Sequence, residues 1–172
     1  MLQKSQNDNF HQMGRPKLKI QNDRFNYLFE AISIIGLICL IIIPFVFYGK
    51  LPETMPKHFD IHGNPDAYGS KGMVWFLPIL GIVLYAVLTI LCKYPHTFNF
   101  PTQVTQQNAG KLYKKGIIII HLVKLTIVSL FVYLNLKMIE IGLGQLDKLS
   151  GLFLPIILIV FLGMTVFAII WM

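Results

Sequence analysis

Four apolar runs, each long enough to cross a bilayer, constrain this 172-residue chain more than any other feature. Ala31 to Gly49 is 19 residues without a formal charge, Gly72 to Cys92 is 21, and Leu149 to Met172 is 24. A helix that crosses the hydrocarbon needs about 20 predominantly apolar residues. A fourth run, the 21 residues Gly116 to Leu136, is apolar apart from His121, Lys124 and a few hydroxyl or amide side chains. Charged residues make up only 13% of the chain, about half the share of a soluble domain. The expected fold is therefore all-α: a polytopic membrane protein with four transmembrane helices and a structured extracytoplasmic first loop.

The spacing predicts a polar tail at 1–27 and a membrane domain at 28–172. Spans are expected at about 28–49, 73–92, 116–137 and 151–172, with an outward loop at 50–72 and a cytoplasmic loop at 93–115. About 30 polar residues precede the first run and no small-residue cleavage pattern follows it, so it reads as a signal anchor. Pro44, Pro78 and Pro155 fall inside runs and predict kinks. Tyr27, Tyr48, Trp75, Tyr94, Tyr113 and Trp171 fall near run ends, where an interfacial aromatic belt lies. Cys39 and Cys92 read as small buried hydrophobes.

Orientation follows from Lys and Arg, since positive flanks resist translocation. Five lie in the tail (Lys4, Arg15, Lys17, Lys19, Arg24) and four in the second loop (Lys93, Lys111, Lys114, Lys115). Three lie in the first loop and two in the third, so nine stand against five with Lys124 inside a span. Both termini are expected in the cytoplasm of a multi-pass protein of the cytoplasmic membrane. The net charge of +7 is then an orientation signal rather than a nucleic-acid footprint. The tail lacks periodicity and reads as mobile, its basic residues resting on anionic lipid.

Most residues able to do chemistry lie between Leu51 and Lys71. Pro52, Pro56 and Pro65 fix dihedrals, and Gly63-Asn64-Pro65-Asp66 is turn chemistry, so the loop reads as compact. Three readings of it compete. On a strand-like backbone His58, Asp60 and His62 project to one side, where two imidazoles and a carboxylate could bind a divalent metal ion. As a recognition surface, His58, Asp60 and Asp66 supply polar contacts, and Phe59 and Tyr68 apolar area. As a structural cap, His58, Asp60, Asp66 and Lys71 bond one another and the loop backbone.

The pattern L-P-x-x-x-P-x-H-F-D-x-x-G-x-P-D-x-Y-G-S-K resembles the signature of the bacterial membrane family catalogued as domain of unknown function 1648. That domain forms the N-terminal part of SdpI-type immunity proteins, which protect bacteria against a secreted killing peptide. The resemblance maps onto Leu51, Pro52, Pro56, His58, Phe59, Asp60, Gly63, Asp66, Gly69, Ser70 and Lys71. Asp60 departs from the Asn common in the family, and the chain has no counterpart of the further spans of SdpI-type proteins. A second stretch, Tyr94 to Tyr113, is similar to a cytoplasmic-loop pattern of the same family. In it Asn99-Phe100-Pro101 reads as extended or turn, and Thr105 is expected to cap a helix that runs through Asn108 and Tyr113 into the third span.

His121 and Lys124 are three apart and share a helix face. Lys124 lies about 12 Å inside the span at about 1.5 Å per residue, where an ionisable group marks function by default. The alternatives are snorkelling or pairing with Glu30, which enters the first span from the same side. No nucleophile elbow, phosphate-cradling glycine loop or dinucleotide fingerprint is present, and neither catalytic residues nor a cofactor are expected. What the resemblance implies is a non-enzymatic binding, sensing or toxin-immunity role at the outer face, the partners being the bilayer and an extracytoplasmic peptide or small ligand. A transporter or permease component is the alternative from another class, and a metal-dependent membrane enzyme is third.

Overall fold

The computed structural model describes residues 14–171. Its order is α1 (Arg24–Phe47), a 3-10 turn (Tyr48–Lys50), β1 (Thr54–Phe59), β2 (Pro65–Ser70), a 3-10 turn (Lys71–Trp75), α2 (Phe76–Leu91), a short 3-10 turn (Pro95–Thr97), α3 (Ala109–Gly142) and α4 (Phe153–Trp171). Among the described residues four helices are long and apolar enough to cross a membrane, the architecture of a multi-pass membrane protein. Large apolar side chains such as Ile35, Phe45, Ile79 and Ile159 stand on the outside, which suits lipid rather than water as the surrounding solvent.

Asp23 starts α1, its carboxylate accepting from the backbone N–H of Phe25 and Asn26 at 3.0 Å each, so two of the orphan donors of a first turn are met. Of the three prolines expected to kink helices, only Pro44 sits in a helix interior. Pro78 and Pro155 fall in the first turns of α2 and α4, where the missing N–H has no helical partner to lose. Small residues let the helices close up. A Cβ on Gly36 would stand 2.6 Å from Val128 Cγ1, and one on Gly81 would stand 2.8 Å from Leu40 Cδ2. These positions fix α1 against α3 and α1 against α2, the small-residue contact that substitutes for a hydrophobic driving force in lipid.

The third helix runs 34 residues against 22 expected, about 51 Å at 1.5 Å per residue, so it projects beyond the hydrocarbon with Lys111, Lys114 and Lys115 on the projecting turns. Thr105 does not start it. Asn108 is the boundary residue, and the two close a turn together: Thr105 N–H donates to Asn108 Oδ1 (2.7 Å) and Asn108 N–H to Thr105 Oγ1 (3.3 Å). Asn99 and Pro101 are exposed on the connection before it, without helix, as expected.

Two placements correct the reading of the tail end. Residues 14–23 have no regular structure yet are strapped down: Arg15 donates to the carbonyls of Phe98 (2.5 Å) and His96 (3.3 Å), and Tyr113 to that of Pro16 (3.0 Å). Residues 1–13 of the expected mobile tail lie outside the described residues. Tyr113 is fully buried, packed on Phe100 at 5.8 Å between ring centroids, and so belongs to the core rather than to an interfacial belt. Cys39 is exposed and Cys92 half-buried, so neither is the buried hydrophobe expected.

Candidate functional site

The first loop folds into an antiparallel hairpin, Thr54 pairing with Ser70, Met55 with Gly69, Pro56 with Tyr68, and Phe59 with Pro65, with irregular register on either side of His58. A two-stranded ribbon is marginal alone; this one is held from beneath. Leu51, Met55, Val74, Met138 and Ile139 form a buried cluster under it. Farther along, Leu149 N–H donates to Gly63 O at 2.9 Å. Gly63 has φ +83°, and a Cβ there would meet Leu149 O at 2.5 Å. Gly63→Ala is therefore expected to cost at least about 1–2 kcal/mol from the left-handed backbone alone, read as a lower thermal midpoint and faster proteolysis between Asp60 and Asn64. Unchanged protection of that turn would contradict the docking.

The turn itself is Asp60 to Asn64. The Asp60 carboxylate accepts from the backbone N–H of His62 and Asn64, each at 2.8 Å, and from Asn64 Nδ2 at 3.0 Å. Gly63 N–H donates to Asp60 O (3.0 Å), and Asp60 N–H to Asn64 O (2.9 Å). Strand β1 ends at Phe59, so His58, Asp60 and His62 do not share a strand face, and Asp60 is committed to the turn. Among the described residues no three His, Cys, Asp or Glu side chains gather to hold a metal ion.

These hydrogen bonds, first the Asn64 amide and then the two backbone N–H groups, hold the Asp60 carboxyl below its ordinary value of 3.8. A lowered carboxyl stabilises the turn above that ordinary value and ceases to do so as pH falls through the folded one. The His62 and Asn64 amide resonances are expected to titrate together with a midpoint under 3.8, and to lose that step in Asp60→Asn. A midpoint above 3.8 would reverse the sign.

Of the remaining loop residues, His58 Nδ1 meets Asp66 Oδ1 at 2.6 Å, their side chains 69% and 44% exposed. Lys71 pairs with Glu53 at 2.7 Å, a partner the sequence reading missed, although both flank the hairpin at the sites where its strands begin and end. Ser70 closes the last rung opposite Thr54. Phe59, with His58 and Asp60, lines a cavity of about 220 Å³ between the hairpin and the ends of α3 and α4, floored by Leu134, Leu149 and Phe153.

The expected intramembrane polar residues converge at the opposite end. Glu30 of α1 accepts from Lys124 Nζ of α3 (2.5 Å) through Oε2 and from the Tyr85 hydroxyl of α2 through Oε1. Lys124 also donates to Thr89 Oγ1 (3.1 Å) and lies 4.6 Å from the Tyr85 ring centroid. Its side chain is 0% exposed. Pairing, not snorkelling, is the outcome. Tyr85 and Thr89 were missed because a hydroxyl in an apolar run carries no signal until α2 turns it inward. His121 Nδ1 stands 3.0 Å from Glu30 Oε2, yet neither ring nitrogen makes a hydrogen bond among the described residues.

No solved structure matches the chain at a significant level. An uncharacterized protein of Archaeoglobus fulgidus is 32% identical over 89 residues, covering 47% of this chain and 48% of that protein, so the chain spans about half the length of that relative. Residues 34–82, which run from α1 through the hairpin into α2, match the family model described as domain of unknown function (DUF1648), the family that the Leu51–Lys71 pattern resembles.

Proposed function

We propose that the chain is a non-enzymatic binding or sensing protein of a bacterial cytoplasmic membrane, its termini cytoplasmic and its hairpin facing outward, with toxin immunity as the specific role the SdpI likeness suggests. One observation carries the reading. The hairpin is anchored from below by Met55, Leu51 and the Gly63 to Leu149 contact, while His58, Asp66, Ile61 and Tyr68 stand outside that anchoring and are exposed. An exposed pair of polar side chains such as His58 and Asp66 contributes little to stability, so the fold does not need these side chains where they are. Beside them the small cavity at Phe59 offers an apolar recess with polar margins, suited to one side chain of an extracellular peptide.

The test is survival. Cells that express the chain, challenged with a panel of secreted killing peptides and envelope stresses, are expected to outgrow cells without it in at least one condition. The combined His58→Ala and Ile61→Asp change should remove the advantage at equal membrane abundance. A panel with no response, or a response indifferent to both substitutions, overturns the proposal.

A further inference from the structure

The tail end of the bundle encloses a second and larger cavity, about 540 Å³, within the usual size of small-molecule sites. Its exposed lining includes Lys19 and Lys93; Glu30 is half-buried in it, and His121 and Lys124 are buried. Glu30 has both oxygens engaged, one by Tyr85 and one by Lys124, so it neutralises Lys124 and offers little to an incoming cation. The two outer lysines are left in excess. His121 is 4% exposed; its Nδ1 stands 3.0 Å from Glu30 Oε2 without hydrogen-bond geometry, and its Nε2 has no hydrogen-bond partner among the described residues. A buried ring nitrogen with no partner is costly, and such a group in a native structure calls for a ligand or water. Leu18, Ile20 and Ile117 give the cavity an apolar wall, and Asn22, Tyr27 and Thr89 add neutral polar groups.

We infer that this cavity binds a phosphate-bearing amphiphile, its phosphate met by Lys19, Lys93 and the Nε2 side of the His121 ring, its apolar part against Ile20 and Ile117. Two ammonium groups that make no ion pair among the described residues suit a phosphate better than a neutral or cationic headgroup, because charge-assisted bonds to phosphate oxygens are the strong ones. The apolar walls distinguish the ligand from bare inorganic phosphate. Such a group comes from two sources, a phospholipid of the adjoining leaflet or a soluble phosphate ester, and the chemistry of recognition is the same. This inference concerns the opposite end of the molecule from the hairpin and stands or falls independently of it.

The test uses the full chain in dodecyl maltoside micelles, which contain no phosphate, with ¹⁵N-labelled histidine and the His121 signal assigned by His121→Gln. Hexyl phosphate and phosphatidylglycerol are titrated separately. At least one is expected to move the His121 ring resonances saturably, and Lys19→Gln with Lys93→Gln should weaken that response at least 10-fold. Both lysines are exposed, so the double variant keeps the fold, which an unchanged thermal midpoint verifies. A response to phosphatidylglycerol alone identifies the lipid, and one to hexyl phosphate alone the soluble ester. No saturable response to either, or equal affinity in the double lysine variant, overturns the inference.

Discussion

Glu30→Leu is expected to destabilise the folded chain by about 3 kcal/mol, the order of the cost of leaving one charge of a buried pair without its partner. Lys124 has 0% side-chain exposure; once its carboxylate is gone, Thr89 Oγ1 and the Tyr85 ring are its remaining contacts. The reciprocal change, Lys124→Leu, should cost less. Glu30 keeps the Tyr85 hydroxyl and is 26% exposed. Membrane insertion should be intact in Lys124→Leu, since the substitution only adds apolar length to α3. The double variant Glu30→Leu with Lys124→Leu should recover most of the loss, because a desolvated pair is often replaceable by apolar groups. Unfolding midpoints in detergent supply the cycle. Additive losses, or a greater loss from Lys124→Leu than from Glu30→Leu, would remove the ion pair as the element joining α1 to α3.

Met55→Ala is the second large effect, about 2–5 kcal/mol for a buried methionine cut to alanine. Met55 is fully buried, and its thioether fills the space left by the absent side chain of Gly142 on α3. The loss should fall on hairpin docking, so proteolysis in 54–70 should accelerate more than global unfolding does. The steric fit also predicts a compensation. Gly142→Ala places its Cβ against the Met55 sulfur and is harmful alone, yet in Met55→Ala the same methyl enters the vacated space and should restore part of the protection. If Gly142→Ala lowers stability equally in both backgrounds, the hairpin is not seated through this contact.

Both predictions turn on residues whose importance the chain reveals unevenly. Glu30 and Lys124 are conspicuous, because a charge inside an apolar run has few ways to be tolerated; pairing was among the alternatives the sequence left open. Met55 is invisible, one apolar residue in a loop. The His58, Asp60 and His62 alternation misleads, because a strand period was extended past Phe59 into a turn that Asp60 itself closes. Thr105 misleads less, by three residues, since Thr and Asn both cap and here they cap each other.

By itself the sequence determined the solvent, the number of crossings and the family likeness of the first loop. Run length against bilayer thickness is one-dimensional physics, and each backbone group in a spanning helix is satisfied within its own segment. Only the tertiary structure decided that the first loop is a hairpin seated on α3, that Tyr85 and Thr89 join Glu30 and Lys124, and that His121 lines a cavity beside them. Those outcomes depend on which faces of α1, α2 and α3 meet. In lipid that choice is made by close packing at residues such as Gly36 and Gly81 and by the few polar groups that must find one another, contacts far apart in the chain that no local period records.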